Sequence, residues 1–177
     1  MKQRPRLFYG WWIVGVAFIA FAVNTGLIFY AWSVFLTPLA ATFGSRARVS
    51  GAYAAMQLSS AACGLMVGRI VDRRGSRDVQ LVGASMLAVG FWCMAAAPTL
   101  PLLYLAMMGP VAIGTTCIGA LPNNAAVARW FVRRRGRALG LSTAGISAGG
   151  ILCAPLAQWL LDHYGWRVAY AVLGASV

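Results

Sequence analysis

The sequence predicts an all-α, polytopic membrane protein, a helical bundle with five complete transmembrane helices and the start of a sixth. Hydrophobic residues make up 60% of the chain and charged residues only 10%. A soluble domain has roughly 25% charged residues, so this composition indicates a membrane protein. The few charges are also clustered, and they leave uncharged runs long enough to cross a bilayer, which takes about 20 mostly apolar residues.

The predicted spans follow from these runs and from the turn signals inside them. The first run is too short for two helices and supplies one, which Pro38 is expected to end. An uncharged run from 79 to 128 is divided in two by the turn signal Pro98-Thr99-Leu100-Pro101. The predicted complete spans are 10–36, 49–68, 79–97, 102–128 and 138–161, with an incomplete sixth span at 166–177.

The N-terminus has a second interpretation, a cleaved signal peptide. Lys2, Arg4 and Arg6 precede an apolar stretch, and Ala20-Phe21-Ala22 resembles a cleavage site. The apolar sequence continues well beyond that point and four more complete spans follow, so we interpret the stretch as an uncleaved first helix.

Basic residues predict the orientation of the bundle. Twelve of the 15 lie on one predicted side, at residues 2–6, 69–77 and 129–137, whereas the other side has Arg46, Arg48 and Arg167. Cytoplasmic loops retain the excess of Lys and Arg, which places the N-terminus in the cytoplasm, and we expect an integral protein of the bacterial inner membrane. The net charge of +12 is therefore explained by topology, and no nucleic-acid partner is expected.

Metal and enzyme chemistry have little support in this sequence. Cys63, Cys93, Cys117 and Cys153 are isolated and form no C-x-x-C pair, which disfavours disulfides and metal clusters. One histidine and three acidic residues provide no cluster of nucleophile and base. We therefore expect no enzyme activity and no cofactor.

Glycines four residues apart recur in the predicted spans. The pairs are Gly64 and Gly68, Gly136 and Gly140, and Gly145 and Gly149. Small residues at this spacing let helix backbones approach closely in lipid, so we expect these pairs to pack helices into one compact unit.

The segment GRIVDRRGSRDV, residues 68–79, is the most charged part of the chain. It is predicted to form a loop of about ten residues between the second and third spans, where Gly75 can take backbone angles that other residues resist. Residues Gly68, Asp72, Arg73, Gly75 and Arg77 match the pattern G-x-x-x-D-[RK]-x-G-x-[RK]. This pattern and its position resemble the loop signature of the major facilitator superfamily.

In that family the aspartate of the signature meets a helix N-terminus and basic partners in one gating state. The resemblance implies that Asp72 and its arginines form a cytoplasmic latch, in which we include Arg129 at the end of the fourth span. Asp78 departs from the pattern, because the family often has a basic residue there. One contact is then either absent or replaced by a pairing of Asp78 with an arginine.

Three further segments resemble the monocarboxylate and oxalate/formate branch of that superfamily. They are YGWWIVGVAF from Tyr9, ARWFVRRRGRALGLSTAGISAGG from Ala128 and YGWRVAY from Tyr164. The resemblance implies a secondary carrier, an antiporter or symporter, that moves a small mono- or dicarboxylate by alternating access. It covers only the N-terminal six-helix half of such a carrier, so we expect a C-terminal six-helix half as partner and no transport by this chain alone.

Polar residues at helical spacing are the candidate solute ligands. They are Asn24, Thr25, Tyr53, Gln57, Thr116, Asn123, Thr143 and Ser147. Such residues can face a wet cavity or bond between helices. Asn24 and Gln57 are the stronger candidates, because an idle amide is costly in lipid. No complete span has a charged residue in its interior, so a coupling carboxylate or a solute-binding cation is expected in the other half.

Two alternatives to a carrier remain open at this point. One is a non-transporting membrane protein that acts as an interaction partner or sensor. The other is a truncated half-transporter that depends on a partner.

Overall fold

The structure is a computed structural model that describes residues 10–131 and 134–177. Lys2, Arg4, Arg6, Tyr9 and Arg133 lie outside the described residues. The described chain contains five helices long and apolar enough to cross a membrane. They are α1 (Gly10–Phe43), α2 (Arg46–Arg74), α3 (Ser76–Ala96), α4 (Leu100–Trp130) and α5 (Arg135–Ala175). The described residues include no strand, and the predicted all-α membrane fold is confirmed.

Helix α1 continues through Pro38, the residue at which the sequence predicts its end. It ends at Phe43, and Gly44 follows in the left-handed conformation. The Thr42 hydroxyl donates to the carbonyl of Pro38 at 2.9 Å in the last turn, and prolines are tolerated inside membrane helices. The first span is therefore seven residues longer than expected at its C-terminal end, because it reaches residue 43 instead of 36.

The predicted loop of about ten residues between the second and third spans is a single residue. Helix α2 ends at Arg74 and α3 begins at Ser76. Gly75 between them has φ 87° and ψ 167°, a backbone conformation that is accessible essentially only to glycine. Its N–H donates to the carbonyl of Val71 at 3.0 Å. Most of the charged signature is therefore helical.

Helix α5 combines the predicted fifth and sixth spans. Gly165, with φ 76° and ψ 167°, reverses the chain within it. After this glycine the chain runs back along α3, since Arg167 donates to the carbonyl of Ala95 at 3.0 Å and Trp92 donates to that of Ala171 at 3.1 Å. Tyr170 is buried there, with its ring 4.5 Å from that of Phe35.

The glycine pairs differ in what surrounds them. A Cβ at Gly145 or Gly149 would collide with the backbone carbonyl of Phe18 or Ala22, so α1 and α5 are in close backbone contact at these two positions. Gly68, Gly136 and Gly140 have nothing within 4 Å of such a Cβ in the described structure. Gly64 has only ordinary contact with a side chain, that of Leu121 at 3.7 Å. Of the three predicted pairs, only that of Gly145 and Gly149 shows close packing against described residues.

Candidate functional site

Helix α4 is interrupted near the middle of the bundle. Its regular part from Ala112 ends at Ile118, and a second helical segment runs over Ala120–Trp130. Gly119 between them has φ −69° and ψ −157°, an extended conformation that breaks the helical hydrogen bonding. A break in a transmembrane helix leaves backbone groups that need other partners, because the bilayer supplies no water.

The buried side chain of Asn123 bonds two of the backbone carbonyls at this break. Its Nδ2 donates to the carbonyls of Ile118 at 2.6 Å and Gly119 at 3.0 Å. Its Oδ1 accepts a 2.7 Å hydrogen bond from Nε2 of Gln80 on α3. Asn123 is fully buried, so these bonds are shielded from water. The predicted ligand Asn123 therefore serves the break itself.

A cavity of about 310 Å³ opens beside the break, between α1, α2, α4 and α5. Ala120 and Leu121, the first residues of the second α4 segment, form part of its wall. Its polar wall consists of Asn24, Thr25, Gln57, Ser60, Thr115 and Thr116. Four of the predicted solute ligands, Asn24, Thr25, Gln57 and Thr116, thus come from three helices to one cavity.

These polar groups form two sets. Ser60, Thr115 and Thr116 form hydrogen bonds that join α2 and α4. The Thr116 hydroxyl donates to the carbonyl of Ser60 at 3.3 Å, and also to that of Ala112 in its own helix at 2.7 Å. The hydroxyls of Ser60 and Thr115 lie 3.3 Å apart. Asn24, Thr25 and Gln57 make no side-chain hydrogen bond within the described part of the chain. Asn24 is only 8% exposed, and its Oδ1 is buried without a partner. Thr25 and Gln57 are therefore available to a solute, and Asn24 places an unsatisfied acceptor beside them.

The remaining candidate ligands lie elsewhere. The ring of Tyr53 stacks on Trp32, with 5.2 Å between centroids. Thr143 donates to the carbonyls of Leu139 and Gly140 in its own helix, at 3.0 and 3.1 Å. Ser147 is exposed on α5 and is not part of the cavity wall.

One end of the bundle carries most of the described arginines, and we call it the arginine-rich end. It comprises the start of α1, the turn between α2 and α3, and the junction of α4 with α5. A crevice of about 540 Å³ opens there, with Arg77, Gln80 and Arg129 in its wall. Nη2 of Arg129 donates to the carbonyl of Val71 at 3.3 Å. A positive charge at this position interacts favourably with the negative end of the α2 dipole.

The two acidic residues of the signature have different surroundings. Asp72 lies in the last turn of α2, is exposed, and makes no hydrogen bond or ion pair with any described residue. Asp78 lies in the first turn of α3, where a carboxylate is favoured by the helix dipole. It too has no ion pair within residues 10–131 and 134–177, so of the two alternatives for Asp78 the described structure shows no pairing with an arginine.

Sequence reasoning missed the break in α4 and the role of Gln80. A signal for the break was present, because Gly119, Pro122 and Asn123 cluster inside a predicted span and such residues interrupt helices. Nothing in the sequence singles out Gln80, whose role depends on its position opposite Asn123.

A polytopic helical bundle with a broken helix beside a polar cavity is characteristic of membrane transport proteins. Residues 7–177 match the Major Facilitator Superfamily, and the chain belongs to this family. The resemblance noted on the charged segment is therefore confirmed. Members of the family are transport proteins and not enzymes, in agreement with the prediction from the scarcity of catalytic groups.

Individual relatives agree with this assignment. Monocarboxylate transporter 13 of Bos taurus is 30% identical over 168 residues, which cover 94% of this chain and 39% of the relative. Monocarboxylate transporter 11 of Mus musculus is 33% identical over 168 residues, which cover 94% of this chain and 37% of that relative. YcxA, an uncharacterized MFS-type transporter of Bacillus subtilis, is 25% identical over 176 residues, which cover 98% of this chain and 42% of that relative. The chain thus spans about two fifths of the length of these relatives.

Proposed function

We propose that this chain forms the N-terminal six-helix part of a secondary carrier that moves a small organic anion, a mono- or dicarboxylate, by alternating access. Family membership supports transport, and the printed names of two relatives suggest a monocarboxylate. The observation that carries the proposal is the cavity of about 310 Å³, whose wall includes Asn24 and Gln57 without side-chain partners. Unsatisfied amides inside a membrane bundle are costly unless water or a solute uses them.

The location of this cavity suits alternating access. It touches four helices and the interruption in α4, and carriers of this type hold their solute near the midplane beside discontinuous helices. Leu121, at 51% exposure, and Gln57 are exposed on its wall. We expect further helices of a complete carrier to face this open side and close the site.

We propose that the signature residues Gly68, Asp72, Arg73, Gly75 and Arg77, with Arg129, form a latch at the arginine-rich end. Gly75 permits the sharp turn, and Arg129 ties the end of α4 to the end of α2. Asp72 is exposed beside this junction, so its carboxylate is available to a helix N-terminus of another part of the carrier. The excess of arginines supports a cytoplasmic location for this end. The proposed location of the carrier as a whole is the inner membrane of a bacterium.

An uptake panel tests the proposed function. The complete gene product, reconstituted in proteoliposomes, is offered radiolabelled acetate, propionate, oxalate and malonate, with glucose and a neutral amide as controls. Saturable uptake of one or more of the carboxylates is expected. If no carboxylate enters faster than into empty liposomes, or if the neutral solutes enter equally well, the proposal of an organic-anion carrier is wrong.

A further inference from the structure

We propose that the transported solute carries an aromatic ring as well as its carboxylate, as in arylalkanoates such as phenylacetate, and that Phe29 in the cavity wall binds this ring. The inference rests on the proposed function and adds to it the class of the solute. It depends on aromatic side chains that lie one helical turn from the polar groups of the cavity.

Polar and aromatic side chains form two successive layers along α1 and α2. Phe29 follows Thr25 by four residues, and Tyr53 precedes Gln57 by four. Residues four apart share a helix face, and one turn advances about 5.4 Å. Helix α1 begins at the arginine-rich end and α2 ends there, so both aromatic residues lie on the same side of the polar layer. Their rings are in contact, with 6.3 Å between centroids.

The ring of Phe29 is ordered by its neighbours but retains a large open surface. Tyr53 meets it edge-to-face, at an interplanar angle of 82°, and Trp32 stacks on Tyr53 with 5.2 Å between centroids. Edge-to-face and stacked contacts are favourable for aromatic rings. Phe29 is nevertheless 48% exposed and forms part of the cavity wall. Its open surface is therefore available to another ring.

The size of the cavity and its apolar side chains favour a solute larger than acetate. The volume of about 310 Å³ lies at the lower end of the roughly 300–1,000 Å³ found for sites of drug-sized ligands. Phe21, Ile28 and Ile146 add apolar side chains to the wall. A short aliphatic acid would leave most of this surface uncovered, whereas an aryl group would cover more of it.

The polar layer provides donors for the carboxylate of such a solute. The Thr25 hydroxyl and the Gln57 amide can both donate, and neither side chain has a hydrogen bond within residues 10–131 and 134–177. Phe29 lies directly after Thr25 in the π-helical stretch Gly26–Tyr30 of α1, and π-helical turns are frequent at functional sites. The solute thus spans both layers, with its carboxylate at Thr25 and Gln57 and its ring at Phe29.

The first test compares solutes on the unmodified, complete carrier in proteoliposomes. Radiolabelled phenylacetate should reach half-maximal uptake at a concentration at least about tenfold below that of propionate, because its ring buries additional apolar surface. Cyclohexylacetate has the same spacer and a ring of similar size without π-electrons, and it should need a concentration at least about twofold higher than phenylacetate. Uptake into empty liposomes is subtracted for each acid.

The second test removes the ring of Phe29. Phe29→Leu should raise the half-maximal concentration of phenylacetate about threefold to tenfold and leave that of propionate within about twofold. Phe29→Tyr keeps the ring and should keep the preference for phenylacetate. Trp159→Leu removes an aromatic side chain of similar exposure, 50%, that is not part of the cavity wall, and should change neither concentration. Measuring both acids on one preparation separates selectivity from a loss of folded protein.

The outcomes separate the two proposals. If no carboxylate, phenylacetate included, enters faster than into empty liposomes, the proposed function fails. If carboxylates are transported but phenylacetate has no advantage over propionate, or cyclohexylacetate equals phenylacetate, the aromatic class alone is overturned. The same conclusion follows if folded Phe29→Leu keeps the full preference for phenylacetate. If Phe29→Leu does not fold, the comparison of the three acids on the unmodified carrier decides.

Discussion

Gln80 and Asn123 are joined by a 2.7 Å hydrogen bond between α3 and the broken part of α4. Asn123 in turn holds two backbone carbonyls at the break, so one fully buried side chain links helix packing to the shape of the candidate solute site. Such a polar network is stabilising only while all of its members are satisfied.

Replacement of Asn123 by Leu should therefore be more damaging than replacement of Gln80. Asn123→Leu leaves the carbonyls of Ile118 and Gly119 without their donor, and we expect a loss of roughly 2–3 kcal/mol in the free energy of unfolding. Gln80→Leu removes one interhelical bond and leaves only one buried acceptor, Oδ1 of Asn123, without its donor, so we expect a smaller loss of roughly 1 kcal/mol. Denaturation in mixed detergent measures both values. Equal losses would contradict a special role for Asn123 at the break.

Close contact between α1 and α5 predicts different effects for two glycines of α5. In Gly149→Ala the new methyl group collides with the backbone of Ala22, which cannot move without shifting α1. We expect this variant to lose about 1–3 kcal/mol in the free energy of unfolding. Gly140→Ala meets nothing within 4 Å and should be neutral or slightly stabilising. A thermal melt in detergent compares them, and equal melting temperatures would argue against the contact.

The glycines of the charged signature can be separated in the same way. Gly75 has a positive φ of 87°, so Gly75→Ala should cost about 1–3 kcal/mol in the free energy of unfolding. Gly68 is helical and a Cβ there has nothing within 4 Å, so Gly68→Ala should leave the stability of this bundle nearly unchanged. If Gly75→Ala is as stable as the unmodified protein, the tight turn between α2 and α3 is not required.

The proposed latch predicts that the charge of Asp72 matters for the rate of transport. Asp72→Asn keeps the shape of the side chain but removes the charge, and turnover of the complete carrier should fall about tenfold while membrane insertion persists. Asp162→Asn is a matched control, because Asp162 is exposed at the opposite end and accepts a bond from Gln158. Initial rates at saturating solute measure the effect. Unchanged turnover in Asp72→Asn would remove the latch role.

Gln57 is expected to contribute to solute affinity. Its side chain lies on the cavity wall without a partner in the described structure, so Gln57→Leu should raise KM about tenfold. The value of kcat should change little if the bond is equally strong throughout the cycle. Uptake as a function of solute concentration gives both parameters. A KM within twofold of that of the unmodified carrier would show that Gln57 does not bind the solute.

The sequence was sufficient for the membrane class and the helical fold, because bilayer thickness and the cost of burying charge act on composition and spacing alone. The family was indicated by the resemblance of the charged segment to a known signature. The candidate ligands were only partly predicted. Helical spacing placed Asn24, Thr25, Gln57 and Thr116 on inward faces, but it could not tell Asn24, which lacks a partner, from Thr116, which bonds between helices.

Boundaries and turns were the least predictable features. Helices α2 and α3 run into the charged segment until Gly75 separates them, and α1 continues past Pro38. Hydropathy does not detect these ends, because arginine and aspartate are compatible with helical backbone outside the hydrocarbon core.

Composition and charge distribution alone determined that this protein crosses a membrane several times, because the bilayer penalises charge in any arrangement of helices. The resemblance of the charged segment to a known signature indicated the family. Tertiary structure alone decided which glycines pack against backbone, and that the break at Gly119 lies beside a polar cavity. The physical reason is that these features depend on the neighbouring helix. A glycine is in close contact, and a polar group lacks a partner, according to which residue of that helix lies opposite.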